Sequence, residues 1–282
     1  MCAQKILIEK VELAGDSTSV KRNRSFVFLT VMVFCLVNSK AVAQAVPANV
    51  IVPDWAQPGS ANHIQVPPPA GFHRTTRTNR TQIGIFTGQS DVGAALVPGS
   101  SSYDAVSKEY RIVSAGYNVW YQRDEFRFLW VKMSGDVSLA ADIDFPDTAG
   151  YDDRKAFVII RQNLEDDSKE AVVALHGGGL MHLAWRPENG QLMKEIRINN
   201  RKGLPDLVSG HIQRIGIQKH GDSFALFVGT NSEPIHQAGE SIQLHLDQPF
   251  YVGIGFCSHL PAKTDTALFS KIYLENKAGV MH

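Results

Sequence analysis

The sequence predicts an all-β protein built as a two-sheet antiparallel β-sandwich, and three observations predict it. From about Thr81 onward, apolar residues recur at every second position within short runs. Turn clusters rich in Gly, Asn and Asp separate those runs at close spacing. No long segment carries a helical period, and no internal repeat is present.

The chain of 282 residues opens with a different kind of segment. Lys21, Arg22 and Arg24 form a basic cluster, an apolar run from Phe26 to Val37 follows, and Ala41-Val42-Ala43 supplies a small-x-small cleavage pattern. That order is the layout of a secretory signal peptide, with cleavage expected after Ala43 or Ala45. The run falls short of the roughly 20 apolar residues a transmembrane helix needs, so no membrane span is expected after cleavage. The residues before Lys21 are an awkward leader, and translation is expected to begin near Val20. Residues 1–45 are therefore read as leader and signal, which implies a periplasmic or extracellular protein. Cys2 and Cys35 lie in the removed part and leave Cys257 alone, so no internal disulfide is expected. Phe34 precedes Cys35 where a lipoprotein signal needs a small residue, which excludes lipid attachment.

Residues 46–80 read as a proline-rich neck, with Pro47, Pro53, Pro58 and Pro67-Pro68-Pro69 favouring extended, semi-rigid chain. Residues 81–276 read as the sandwich. Phe126, Phe128 and Trp130 alternate along one strand, as do Val137, Leu139, Ala141, Ile143 and Phe145 along the next. Both sets are expected to face the inter-sheet core. Ile242, Leu244 and Leu246 alternate against Gln243, His245 and Asp247 in a later strand. The turns between are Pro98-Gly99-Ser100, Ser134-Gly135-Asp136, Glu188-Asn189-Gly190 and His220-Gly221-Asp222. The formal charge is zero, with 28 basic and 28 acidic residues, so no nucleic-acid partner is expected.

Several motifs bear on chemistry. His176-Gly177-Gly178-Gly179 matches the oxyanion segment of some esterases, yet the G-x-S-x-G elbow that must accompany it is absent. Asp142-x-Asp144 puts two carboxylates on one strand face, and Asp124 is a third candidate, but the E-x-D-x-x-E signature of sandwich glucanases is missing. No catalytic residue is assigned. Asp144, Asp147, Asp152 and Asp153 offer the oxygen donors Ca²⁺ takes, at a spacing that fits no standard calcium loop. His176 and His182 lack a third partner at zinc-like spacing. No cofactor and no metal site are therefore expected.

The remaining signal is a set of large polar and aromatic residues inside strands: Trp120, Arg127, Lys155, Arg161 and His176, with Trp185 beside them. Aromatic planes that stack on a sugar ring, together with charged groups that bond hydroxyls, are the mixture found on glycan-binding sheet faces. Lys155 and Arg161 sit at the two ends of a face whose middle residues are Phe157 and Ile159. Trp120, Arg127, Lys155, Arg161 and His176 are the candidate ligand residues.

These segments resemble the concanavalin A-like sandwich domain found in front of TolB-like β-propellers in secreted bacterial proteins. The resemblance runs from about Ile83 to Leu274 and rests on Val97-Pro98-Gly99-Ser100, on Gly116-Tyr117-Asn118-Val119-Trp120 and on Asp124 to Trp130. Ser134-Gly135-Asp136, Arg154-Lys155, Arg161, His176 to Leu180 and Tyr251 to His259 extend it. It implies a jelly roll whose concave face takes glycans. Relatives tend to carry Gly where this chain has Phe157, and Asp where it has Gly178, which narrows the groove and removes a carboxylate. The expectation is an exported, non-catalytic module binding a glycan or cell-envelope polymer. The alternatives are a glycoside-active enzyme, or an envelope protein-interaction domain partnering a TolB-like propeller.

Overall fold

The computed structural model describes residues 73–198, 212–230 and 234–282. The expected signal segment and cleavage site, Cys2, Cys35 and residues 46–72 of the expected neck lie outside the described residues. The described chain is all-β, two antiparallel sheets packed face to face. Strands are numbered in chain order. The larger sheet runs β1 (Arg77–Asn79), β2 (Gly88–Val92), β6 (Arg123–Met133), β16 (Phe250–Cys257), β8 (Lys155–Arg161), β9 (Glu170–His176), β10 (Met181–Arg186) and β11 (Lys194–Arg197). A short β5 (Asn118–Trp120) pairs with the start of β6. The second sheet runs β14 (His236–Gln237), β13 (Ser223–Thr230), β12 (Ile212–His220), β7 (Val137–Asp144), β17 (Asp265–Glu275), β4 (Glu109–Ser114) and β3 (Ser100–Asp104), with β15 (Ile242–Gln243) on β13. In the larger sheet β16 lies between β6 and β8, so the centre of the sheet joins segments far apart in sequence.

Period-two alternation decides what each strand contributes. Val137, Leu139, Ala141 and Ile143 of β7 point into the inter-sheet core, as expected. They meet Val158 and Ile160 of β8, Val252 and Ile254 of β16, and Ile215 and Ile217 of β12. Ile242, Leu244 and Leu246 enter the same core. Trp185 packs at its margin.

The expectation for Phe126, Phe128 and Trp130 is corrected. All three are buried, but on the opposite side of the larger sheet, in a second cluster with Val92, Val119, Phe157, Ile159, Val172, Ala174 and Ala184. Trp120, Leu164 and Met193, from β5 and the loops, pack onto that cluster and cover the outer face. The larger sheet is therefore buried on both sides, and every residue of β8 and β9 is buried. Alternation reports that one face of a strand is more apolar; it does not say on which side of the sheet that face lies.

The rings fit because glycines oppose them. Gly88 pairs with Trp130, and a Cβ there would lie 2.3 Å from the indole. Gly255 pairs with both Phe128 and Phe157, and a Cβ there would lie 2.4 Å from the Phe157 ring. Residues 73–80, within the expected neck, are seated on the sandwich. Arg77 pairs with Asp91 in the β1–β2 ladder, Arg74 ion-pairs with Glu125, and His73 Nδ1 stands 2.9 Å from Asp166.

Candidate binding pocket

Lys155 opens β8, His176 closes β9 and His182 is the second residue of β10. Antiparallel pairing places Lys155 beside His176, and the β9–β10 hairpin sets His182 opposite Ala174, so all three share the outer face at one end of the larger sheet. On the neighbouring β11, Glu195 and Arg197 pair with Ala184 and His182 and point to the same side. Asn118, Trp120 and Tyr121 approach from β5 and the turn after it, Asp153 from the loop before β8, and His259 from just beyond β16. Together with Leu180 these residues line a pocket of about 120 Å³.

The floor is polar and buried. Lys155 is 4% exposed, its Nζ donates to Asn118 Oδ1, and it lies 5.6 Å from the centre of the Trp120 ring. Burial lowers its pKa from the ordinary lysine range. His176 is buried, and burial holds it neutral, with its pKa depressed to about 3. Its Nδ1 stands 3.5 Å from Asp153 Oδ1, long for a hydrogen bond. The His176 ring, against the cost of burial, holds Asp153 down at about 2. His182, also lowered by burial, bonds Glu195 Oε2 through Nδ1 at 3.0 Å and stacks on Trp120 at 5.4 Å with 5° between the planes. Glu195 in turn accepts from Arg197 Nε at 2.7 Å. His259 stacks on Tyr151 at 5.3 Å. The rim is open to solvent, since the side chains of Asp153 and Arg197 are 42% and 56% exposed.

Of the five residues singled out from sequence, the fold brings Trp120, Lys155 and His176 together in this pocket. Arg161 stands at the far end of β8, six residues and about 20 Å from Lys155 at strand spacing. Its side chain is wholly buried in a four-membered ion cluster. Arg161 meets Asp124 and Glu170 at 3.2 Å each, and Arg186 meets the same carboxylates at 2.6 and 3.4 Å. Backbone carbonyls of Glu165 and Ser168 take further guanidinium protons. Burial, reinforced by the neighbouring Asp124, pushes Glu170 up to about 8. Arg127 lies elsewhere again. It faces the inner side, donates to Gln89, meets Asp91 at 3.2 Å and reaches Ser101 of the opposite sheet at 3.1 Å.

Phe157 does not narrow the pocket. Its ring is fully buried over Gly255 and against Phe126, 5.0 Å between centres. Among the carboxylates weighed as catalysts, Asp124 is locked in the ion cluster. Asp142 is tied to Arg214 at 2.7 Å and Lys271 at 2.8 Å on the second sheet, and Asp144 is exposed beside it. The carboxylates that do reach the pocket are Asp153 and Glu195. Among the described residues no three His, Cys, Asp or Glu side chains converge as a metal ion requires, and no helix is long and apolar enough to cross a membrane.

His182, Glu195, Arg197 and Asn118 went unassigned in the sequence reading. One signal was available for His182: a Gly-rich hairpin turn between it and His176 returns even-numbered positions to the same face.

The fold and pocket together define an antiparallel β-sandwich with a small polar and aromatic concavity at one end of its larger sheet. Among solved structures the chain is similar to a functionally unknown protein from Saccharomyces cerevisiae, at 13% identity over 65% of this chain and 95% of that one, TM-score 0.47. It is similar also to the carbohydrate-binding module CBM66 from Bacillus subtilis, at 13% identity over 63% and 92% of the two chains, TM-score 0.38. The metal-free lectin I-B4 from Griffonia simplicifolia aligns at 10% identity over 63% and 90%, TM-score 0.39. No protein-family model matches the sequence, and no curated protein matches it.

Proposed function

We propose that this protein is an exported, non-catalytic binding module that seats one sugar unit of a glycan or cell-envelope polymer in the Trp120–Lys155–His176 pocket. The observation that carries the reading is the gathering, in one small open concavity, of an indole with hydrogen-bonding groups of both polarities. Asn118, Lys155, His176, His182, Glu195 and Arg197 supply donors and acceptors for ring hydroxyls, and Trp120 supplies an apolar plane. A pocket of about 120 Å³ is small beside the roughly 300–1,000 Å³ of drug-sized sites, which suits a single ring or chain end.

The test is calorimetric titration of the purified protein against a panel of oligosaccharides. The parent binds members of the panel, and Trp120→Ala weakens that binding at least about tenfold, whereas exposed Gln243→Ala leaves it unchanged. A parent that binds nothing in the panel defeats the proposal. So does release of product from a polysaccharide that Asp153→Asn or Glu195→Gln abolishes, since that result makes the pocket an active site.

A further inference from the structure

The pocket floor holds a charge without a counter-charge. Among the described residues no carboxylate oxygen lies within ion-pair distance of Lys155 Nζ; its contacts are Asn118 Oδ1 and the Trp120 ring. An ammonium has three protons to donate, and one of Lys155's is used. Beside it, the buried His176 faces Asp153 across 3.5 Å through Nδ1, and its Nε2 makes no hydrogen bond. Burying a cation with no paired carboxylate and most of its protons unused is costly unless something bonds it. The pocket's acids do not fill that need. Glu195 is engaged by His182 and Arg197, and Asp153 sits on the solvent-exposed rim beside His176. The two other imidazoles are occupied as well, His182 by Glu195 and Trp120, and His259 against Tyr151 and Tyr117.

The geometry points to a carboxylate on the ligand: the sugar unit this pocket takes is an acidic one, a uronate, whose carboxylate pairs with Lys155. One ammonium without a paired carboxylate matches a singly charged acceptor. A phosphate dianion would leave charge unbalanced. Burial lowers the pKa of Lys155, and a carboxylate alongside raises it again by favouring the ammonium. The inference rests on the proposed glycan-binding role and adds the class of sugar.

The experiment compares, by calorimetry at neutral pH, oligogalacturonate and oligoglucuronate with the same oligomers after carboxyl reduction. The expected result is tighter binding of the acidic forms by about tenfold to a hundredfold, the worth of one charge-assisted hydrogen bond. Lys155→Met, which removes a buried charge at similar volume, removes that preference, so that acidic and reduced oligomers bind the variant alike. Equal binding of acidic and reduced oligomers by the parent overturns the inference and leaves glycan binding standing. A preference that survives Lys155→Met overturns it too. Failure to bind either series, or any neutral sugar, brings down both readings. The comparison on the parent alone decides the matter should the variant not fold.

Discussion

Replacing Glu170 with glutamine should alter the pH dependence of stability more than stability at any single pH. The folded carboxyl titrates near 8 against an ordinary 4.5, because burial beside Asp124 disfavours a second negative charge. Its contribution is fully present below 4.5, where both states hold the proton, and is lost as pH rises toward 8. Within that window the unfolded chain has released a proton that the folded chain keeps, which costs about 1.4 kcal/mol per pH unit. From pH 6 to pH 8 the loss is about 2 kcal/mol, allowing for partial ionisation of the folded form at the top of the range. Glutamine is neutral throughout, can donate to Asp124 and accept from Arg161, and carries no such slope. His176 works the other way: it is held near 3 against 6.5, so its contribution is present above 6.5 and lost as pH falls below that. Urea denaturation of parent and Glu170→Gln at pH 6, 7 and 8 isolates the one group, since the histidines, Glu125 and Lys155 are common to both proteins. The variant's stability relative to the parent should climb by about 2 kcal/mol across the series. A difference that stays flat or falls would mean that Glu170 is ionised in the folded cluster, and the reasoning fails.

Further expectations follow from the burial pattern. Phe128→Ala should cost about 3–5 kcal/mol, as expected for emptying a packed ring site, and Phe157→Gly at least as much, because its ring fills space over Gly255 rather than blocking a groove. His245→Ala, at a side chain 67% exposed, should stay within about 0.5 kcal/mol of the parent by thermal melting. Arg161→Ala should register as a stability loss of about 3–5 kcal/mol from an uncompensated buried carboxylate, without a selective change in ligand affinity for the folded fraction. Cys257, fully buried with its thiol pushed up to about 11 by burial, should resist thiol reagents until the protein unfolds; fast labelling of the native state would contradict the placement of β16.

What the sequence determined is what alternation and turn chemistry can encode locally. The period of two, with Gly at turn positions such as Gly135, Gly190 and Gly221, specified an all-β sandwich, and it placed Val137, Leu139 and Ile143 in the core. The apolar face of β8 with a cation at each end was also legible. Tertiary structure alone decided what those ends are for. Lys155 and Arg161 have the same parity on the same strand, yet one meets Asn118 and Trp120 from β5 while the other meets Asp124, Glu170 and Arg186. Most of these partners come from segments tens of residues away, and a residue's local pattern carries no record of which distant carboxylate will stand beside it. The same limit applies to the aromatics of β6. Their alternation is visible, but whether they face the other sheet or the outer layer depends on the long-range pairing of β6 with β16 and on β5 folding over them. His182, Glu195 and Arg197 joined the pocket for that reason too: β10 and β11 had to pair before their outward residues could meet Lys155 and His176.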